Sequence, residues 1–177
     1  VLFAMGGTKD VKVIEENVAE ICNEFPTHNV FTITSKSGAL INGKSVKRKA
    51  FMEQLKSCEN ALIFHYDILS EGIDVDGITG VAIMRNMGLA KLLQTIGRAV
   101  RLYKPDPSKK PCAWISVPVV NNNEDEKERI AFVVRTLRNG GFDISKEDIH
   151  ETKSNRHESE DEGMDDAFDN NNSSFNP

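Results

Sequence analysis

The stretch VAIMRNMGLAKLLQTIGRAVR, residues 81–101, joins two patterns of different period. Its beginning, Val81–Met84, is a short apolar run, which is typical of a strand buried on both faces. From Leu89 to Val100, apolar residues recur at the spacing of one helix face. A buried strand followed by an amphipathic helix is the unit from which parallel sheets are built.

The same alternation extends over the rest of the chain. Four further apolar runs predict strands at Val1–Met5, Val30–Thr34, Ala61–His65 and Cys112–Val117. Helices are predicted between them: one capped by Thr8 that reaches Pro26, one capped by Ser45 that reaches about Lys56, and one from Asn123 to Gly140. We therefore expect an α/β fold with a mostly parallel sheet, whose ligands bind beyond the carboxyl ends of the strands.

One face of the helix at 89–100 carries residues that suit phosphate binding. They are Gln94, Gly97, Arg98 and Arg101, within an arc of about 100°. The opposite, buried side is predicted to hold Leu89, Leu92, Leu93, Ile96 and Val100. Guanidinium groups are permanently charged and donate in bidentate geometry to phosphate oxygens. A glycine inside a helix costs about 1 kcal/mol relative to alanine, which the close approach of a ligand would offset. A solvated charged face with an incidental glycine is the alternative.

A second segment, Ser70-Glu71-Gly72-Ile73-Asp74-Val75, follows the strand at Ala61–His65. A carboxylate on such a loop can accept ribose hydroxyls or orient an arginine. Taken alone, the segment is also compatible with an ordinary Asp/Gly turn.

In this order and about 20 residues apart, the two segments resemble the second RecA-like domain of superfamily 2 helicases and translocases. Ser70–Asp74 is similar to their motif V, and Gln94–Arg101 fits the Q-x-x-G-R-x-x-R form of motif VI. This form looks closest to the excision-repair and restriction-type DNA helicases. The resemblance covers roughly residues 1–120 and implies a RecA-like three-layer sandwich.

The resemblance implies a shared ATP site. Arg98 and Arg101 would be catalytic arginine fingers that reach the γ-phosphate, and Gln94 and Gly97 would face the nucleotide. Gly72 and Asp74 would border the ribose and phosphates and couple them to nucleic acid. ATP and Mg²⁺ would be held mainly by another, N-terminal RecA-like domain, fused or separate, because no Walker A loop with a following D-E-x-x box is present here.

Two positions are candidates for nucleic-acid contact. The family often has threonine six residues before the motif V glycine, where this sequence has Tyr66. Its hydroxyl can donate a hydrogen bond, or its ring can stack on a base. Arg48, in the basic run Lys47-Arg48-Lys49, is a candidate for phosphate contact, and a solvated helix face is the alternative.

The segment Gly38–Ser45 also matches the phosphate-loop pattern G-x-x-x-x-G-K-S between a strand and a helix. Leu40 and Ile41 are bulky for a phosphate cradle, and Asn42-Gly43 is already typical of a turn. A stand-alone P-loop NTPase is therefore an alternative function. A non-enzymatic nucleic-acid or protein-binding module on the same fold is another.

Composition limits the partners and the compartment. Eight of the 27 acidic and two of the 22 basic residues lie in 151–177, which leaves residues 1–150 with 19 acids and 20 bases. The body can thus meet nucleic acid through a local patch but not through bulk charge. We expect a helicase domain at 1–150 and a disordered, acidic, Asn-rich tail at 151–177. Three scattered cysteines match no metal spacing and favour a reducing cytoplasm or nucleus over secretion, and no apolar run is long enough for a membrane span.

The resemblance implies the C-terminal motor domain of an ATP-dependent helicase or translocase that acts on nucleic acid, with DNA expected in preference to RNA. The chain alone is expected to be inactive, and no metal site is predicted within it. Because the chain opens at Val1 inside a strand pattern, we also expect it to be part of a longer protein.

Overall fold

The computed structural model describes residues 1–66, 77–101, 112–119, 124–142 and 144–151. These residues form five helices and one seven-stranded sheet. In chain order the elements are β1 (Leu2–Ala4), α1 (Thr8–Glu16), α2 (Val18–Glu24), β2 (Asn29–Thr34), β3 (Gly38–Ile41), β4 (Lys44–Val46), α3 (Arg48–Ser57), β5 (Ala61–His65), β6 (Gly80–Ile83), α4 (Leu89–Val100), β7 (Trp114–Ser116) and α5 (Glu124–Asn139).

The sheet has the strand order β4-β3-β2-β5-β1-β6-β7. The pairs β2–β5, β5–β1, β1–β6 and β6–β7 are parallel, so the five strands predicted from apolar runs are confirmed as the parallel part of the sheet. The first strand lies between β5 and β6, and the connection from β5 to β6 therefore crosses over β1. Such a crossover creates the crevice where open α/β sheets bind ligands.

The helices cover both faces of the sheet. Val11 of α1 and Val18 of α2 pack in one apolar cluster with Val30 and Phe64. The other face holds the larger cluster, to which α3, α4 and α5 each contribute buried side chains. Their main contributions are Phe51, Leu55, Leu92, Ile96, Val133 and Leu137. This is the expected three-layer α/β sandwich with a mostly parallel sheet.

The segment 38–46 differs from the prediction, which had a loop followed by a helix cap. It forms an antiparallel hairpin, β3–β4, added to the edge of β2. Asn42 and Gly43 both have positive φ, 48° and 76°, as a two-residue type I′ turn requires. Ser45 consequently lies in β4 opposite Leu40, and α3 begins only at Arg48, after Lys47.

The predicted first long helix is two helices, because the chain breaks at Asn17. There φ is −107° and ψ is 15°, and the side-chain amide of Asn17 donates to the carbonyl of Val13 at 2.8 Å. Such side chain to backbone bonds compete with helix propagation. Thr8 is not the cap either, since Gly7 occupies the N-cap position and makes no side-chain bond.

The predicted end of the last helix is confirmed. Gly141 adopts φ 87°, its N–H donates to Arg138 O at 3.0 Å, and the N–H of Phe142 donates to Leu137 O at 3.1 Å. This is the Schellman arrangement that a glycine permits after a helix. The chain divides into two units, Val1–Ile144 and Ser145–Pro177. The expected disordered tail beyond Glu151 and the Asn123 cap lie outside the described residues.

Candidate functional site

The carboxyl ends of the strands form one edge, and the register fixes which residues meet there. Ile33, His65, Ala4 and Ile83 occupy one row across β2, β5, β1 and β6. The hairpin extends the same row to Ala39 and Val46. Residues that follow this row, including Lys47, Tyr66 and Arg85, therefore lie along a single edge of the sheet, which we call the carboxyl edge.

Tyr66 and Arg85 are in contact at this edge, although they follow different strands. The guanidinium carbon of Arg85 lies 4.7 Å from the centroid of the Tyr66 ring. The two strands that carry them, β5 and β6, both pair with β1, so the contact spans the carboxyl end of β1. Both side chains are half-buried, and Tyr66 also packs on the apolar cluster under α1. One face of the ring is thus covered by a cation.

The sequence prediction named Tyr66 but not Arg85. A cation directly after the apolar run of β6 is visible in the sequence. Its contact with Tyr66 is not visible in the sequence, because the two residues meet only as a result of the strand order, which places β5 and β6 on either side of β1.

Arg48 also lies at the carboxyl edge, at the opposite end of the row. Because β4 is antiparallel to β3, and β3 to β2, β4 runs toward the carboxyl edge and α3 begins there. Arg48 is the first residue of α3 and is exposed. Its neighbour Lys49 lies 3.9 Å from Glu53 on the same helix, in an exposed pair.

The helix α4 presents the candidate nucleotide-binding residues away from the core. Its buried residues are Leu92, Thr95, Ile96 and Ala99. Gln94 is exposed, and Gly97 and Arg98 are half-buried on the other side of the helix. Arg101 is the C-cap residue with extended backbone (φ −61°, ψ 135°), so the helical period does not determine its direction. The sequence prediction treated it as helical.

The side of α4 that is buried differs from the side that the sequence predicts. Leu89 and Leu93, which were expected in the core, are 54% and 38% exposed. Thr95 takes a buried position instead, and its hydroxyl donates to the carbonyl of Lys91 at 2.8 Å. This bond satisfies the hydroxyl inside the helix and makes its burial possible. α4 therefore exposes two leucines on the side of the helix away from Arg98.

Space around Gly97 is open among the described residues. A Cβ built there would meet nothing within 4 Å. None of the described residues therefore requires glycine at position 97, and packing against them does not offset the cost of glycine in a helix interior. Gly97 thus leaves the helix backbone accessible from outside.

Arg98 lies on a different part of the surface from the carboxyl edge. Since α4 begins near the carboxyl edge, Arg98 lies about 14 Å farther along the helix axis than Leu89. The motif V candidates Gly72 and Asp74 lie outside the described residues.

The residues of the phosphate-loop alternative do not form a loop. Gly38–Ile41 and Lys44–Val46 pair with each other, with Ile41 opposite Lys44. A phosphate cradle needs successive backbone N–H groups that converge on one anion. An antiparallel pair instead points them alternately at its partner strand and away from it. Lys44 and Ser45 are exposed on β4, which is an edge strand of the sheet.

No family model and no curated protein matches this chain. Among the described residues, no group of three or more His, Cys, Asp or Glu side chains is arranged to hold a metal ion. Within the same residues, none of the helices combines the length and apolar character needed to cross a membrane.

Proposed function

We propose that this chain is the C-terminal RecA-like domain of an ATP-dependent nucleic-acid helicase or translocase. The observation that carries the proposal is the outer face of α4, where Gln94, Gly97 and Arg98 lie opposite the buried side of the helix. The α/β sandwich and the resemblance of Gln94–Arg101 to motif VI support the same function. By this resemblance, DNA is the preferred nucleic acid.

In the proposed mechanism, ATP binds between this domain and a second RecA-like domain in the same polypeptide or on a partner. Closure of the two domains brings the guanidinium groups of Arg98 and Arg101 to the γ-phosphate. They stabilise charge that develops in the transition state, where a fixed cation is more effective than water. Gly97 allows the phosphates to approach the helix backbone. Mg²⁺ and most of the nucleotide are assigned to residues of the second domain.

One exposed apolar side chain of α4 fits such a closure. Leu93 is 38% exposed and lies one helical turn before Gly97 on the same side of the helix. A second domain that closes on Gly97 would cover it. Burial of this apolar surface would contribute to closure, and the contribution scales with the area removed from water.

The experiment that tests this function is the Arg98→Ala substitution in a protein that contains both RecA-like domains. We expect ATP turnover to fall by about 10³-fold or more, because arginine fingers in related phosphoryl transfer contribute on the order of 10³–10⁵ in rate. ATP affinity should change by less than about tenfold, because the finger acts mainly on the transition state. Arg98→Lys should not restore turnover, since an ammonium lacks the planar fork.

Arg135→Ala on α5 is the matched control, because Arg135 is also a helical arginine and is exposed. It should leave turnover unchanged. If Arg98→Ala hydrolyses ATP within about threefold of the wild type, the arginine-finger assignment is wrong. A non-enzymatic module on the same fold would then be the better account of the chain.

A further inference from the structure

The outward side of α5 forms a shallow groove that the proposed ATP site does not use. Its volume is about 570 Å³. The described residues that line it all belong to α5 and recur three and four positions apart, as one side of a helix does. They include Lys127, Ile130, Ala131, Val134, Arg135 and Arg138. The buried residues Val133, Thr136 and Leu137 lie on the opposite side of the helix. We call this surface the α5 groove.

Ala131 gives the α5 groove its shape. It is exposed and ends at a methyl group, and the half-buried side chains of Ile130 and Val134 lie beside it. A large apolar side chain from outside can therefore approach the helix at Ala131 and contact both neighbours. Full burial of such a side chain contributes about 1.5–3 kcal/mol. The centre of the groove thus suits one bulky apolar residue.

Two arginines stand at the end of the groove that is nearer the C-terminus of α5. Arg138 donates through Nε and Nη2 to the carbonyl oxygen of Ile144, at 3.2 and 3.0 Å. The guanidinium carbon of Arg135 lies 5.9 Å from the centroid of the Phe132 ring. Both of these partners are neutral, so the contacts orient the two guanidinium groups without cancelling their charge. This end of the groove therefore attracts carboxylates.

The other end of the groove has a different charge. Lys127 forms an ion pair with Glu124 at 2.8 Å, and Glu128 is exposed on the same part of the helix. A partner should therefore carry its carboxylates only in the half that meets Arg135 and Arg138. Acidic side chains are favoured in the first turns of a helix. A helix that runs antiparallel to α5 brings its first turns to the arginine end, so an antiparallel helix meets both requirements.

We propose that the α5 groove binds an amphipathic α-helix of a partner protein, antiparallel to α5, with a large apolar residue against Ala131 and carboxylates of its N-terminal half at Arg135 and Arg138. This is the helix-in-groove mode of recognition. It does not depend on the proposed ATPase. A second copy of α5 fits less well, because it would place alanine against Ala131 and leave the groove unfilled. Since α5 has 16 residues, or about 24 Å of length, the contact is short and the complex is weak and reversible.

The test measures binding of the 177-residue chain to a fluorescein-labelled synthetic peptide of about 16 residues by anisotropy. The peptide has leucine at the spacing of one helix face, glutamate elsewhere in its N-terminal half and glutamine elsewhere in its C-terminal half. It should bind with a Kd below about 1 mM, and more weakly as salt is added, because the ion pairs are exposed. A peptide of the same composition without the helical spacing of leucines should bind about fivefold more weakly or less.

Variants of the chain locate the binding site. Arg135→Glu and Arg138→Glu together should weaken binding about tenfold or more, because two attractions become two repulsions. Ala131→Gln fills the centre of the groove and should weaken binding about fivefold or more. Lys12→Glu is the matched control, because Lys12 is an exposed cation of α1, on the other face of the sheet. It should leave the affinity unchanged.

A charge exchange keeps the test valid if the double variant is less stable. A peptide with lysine in place of glutamate should bind the Arg135→Glu, Arg138→Glu chain more tightly than it binds the wild type. A misfolded chain would not gain this affinity. Equal affinity of the wild type and the double variant for the glutamate peptide would overturn the inference. So would equal affinity of the two peptides that differ only in leucine spacing, because charge alone would then explain binding.

The other occupants of the groove give different results. Dimerisation of the wild-type chain that Ala131→Gln abolishes, measured by sedimentation equilibrium, would assign the groove to a second copy. Binding of a 20-nucleotide oligo(dT) that the double variant loses, without binding of the glutamate peptide, would assign it to nucleic acid. Either result rejects the partner helix. Neither bears on ATP turnover in Arg98→Ala, so this inference and the proposed function can fail separately.

Discussion

Asn42 is joined to Val30 by two hydrogen bonds. The backbone N–H of Asn42 donates to Val30 O at 2.8 Å, and the backbone N–H of Val30 donates to Asn42 Oδ1 at 2.7 Å. The Asn42 amide also donates to Asn29 Oδ1 at 2.9 Å. The turn of the β3–β4 hairpin is therefore attached to the start of β2. Because α3 and Arg48 follow the hairpin directly in the chain, this attachment also fixes the position of one end of the carboxyl edge.

Asn42→Ala should destabilise the chain by about 2 kcal/mol. It leaves the N–H of Val30 without its acceptor, and alanine adopts the positive φ of this position with strain. Asn42→Gly is the control, because it relieves the strain but still lacks the side chain. Its loss should be smaller than that of Asn42→Ala. Urea unfolding followed by circular dichroism measures both, and equal stability of Asn42→Ala and the wild type would contradict this account.

Thr34→Val should destabilise the β2–β3 turn by about 1–2 kcal/mol. Thr34 is buried, and its Oγ1 accepts the N–H groups of Ser37 at 2.9 Å and Lys36 at 3.2 Å. Valine has the same shape and no acceptor. Thr34→Ser keeps the oxygen and loses only a methyl group, so it should unfold at a higher urea concentration than Thr34→Val. The reverse order would show that packing, and not the hydroxyl, stabilises the turn.

Gly97→Ala should separate stability from activity. The added methyl group meets nothing within 4 Å among the described residues, and alanine is favoured over glycine by about 1 kcal/mol in a helix interior. The chain should therefore become more stable to urea. If ATP phosphates approach this position, turnover in a protein with both RecA-like domains should fall. A gain in stability with unchanged turnover would remove Gly97 from the nucleotide site.

Purified 1–177 should show negligible ATP hydrolysis, with or without nucleic acid, because the second half of the proposed site is on another domain. Lys44→Ala is the informative variant for the phosphate-loop alternative. Since Lys44 is an exposed residue of β4, its loss should change neither ATP binding nor hydrolysis. Robust hydrolysis by the chain that disappears in Lys44→Ala would reverse the assignment in favour of a stand-alone NTPase.

The turn at Ser145–Asp148 should depend on pH. The hydroxyl and the N–H of Ser145 donate to Asp148 Oδ2 at 2.7 and 2.8 Å, and these bonds hold the pKa of Asp148 below its ordinary value. A lowered pKa means that the turn is stabilised above the ordinary pKa of aspartate, about 3.9, and loses this contribution as pH falls through the lowered pKa. Ser145→Ala should raise the pKa of Asp148, as measured by NMR titration of the carboxyl carbon. An unchanged pKa would show that the turn does not form in solution.

Sequence by itself determined the five parallel strands and the helix α4. The strands are indicated by short apolar runs and the helix by the helical period of its apolar residues, and both can be read from the sequence without knowing which elements are neighbours. The end of α5 at Gly140-Gly141 was equally readable, because a Schellman end depends on one glycine and a few adjacent carbonyl groups. The α/β class followed from the alternation of these elements.

Only the tertiary structure decided the β3–β4 hairpin, the exposure of Leu89 and Leu93, and the contact of Arg85 with Tyr66. Residues 38–45 match a phosphate-loop pattern, and Asn42-Gly43 within them is typical of a turn; the pairing of β3 with β2 and β4 shows that they form a hairpin. The exposure of Leu89 and Leu93 depends on which side of α4 packs against the sheet. A rotation of the helix by a fraction of a turn changes that side. Arg85 meets Tyr66 because β5 and β6 both pair with β1. Strand order results from hydrogen bonds between distant segments of the chain, so the sequences of β5 and β6 alone do not determine it.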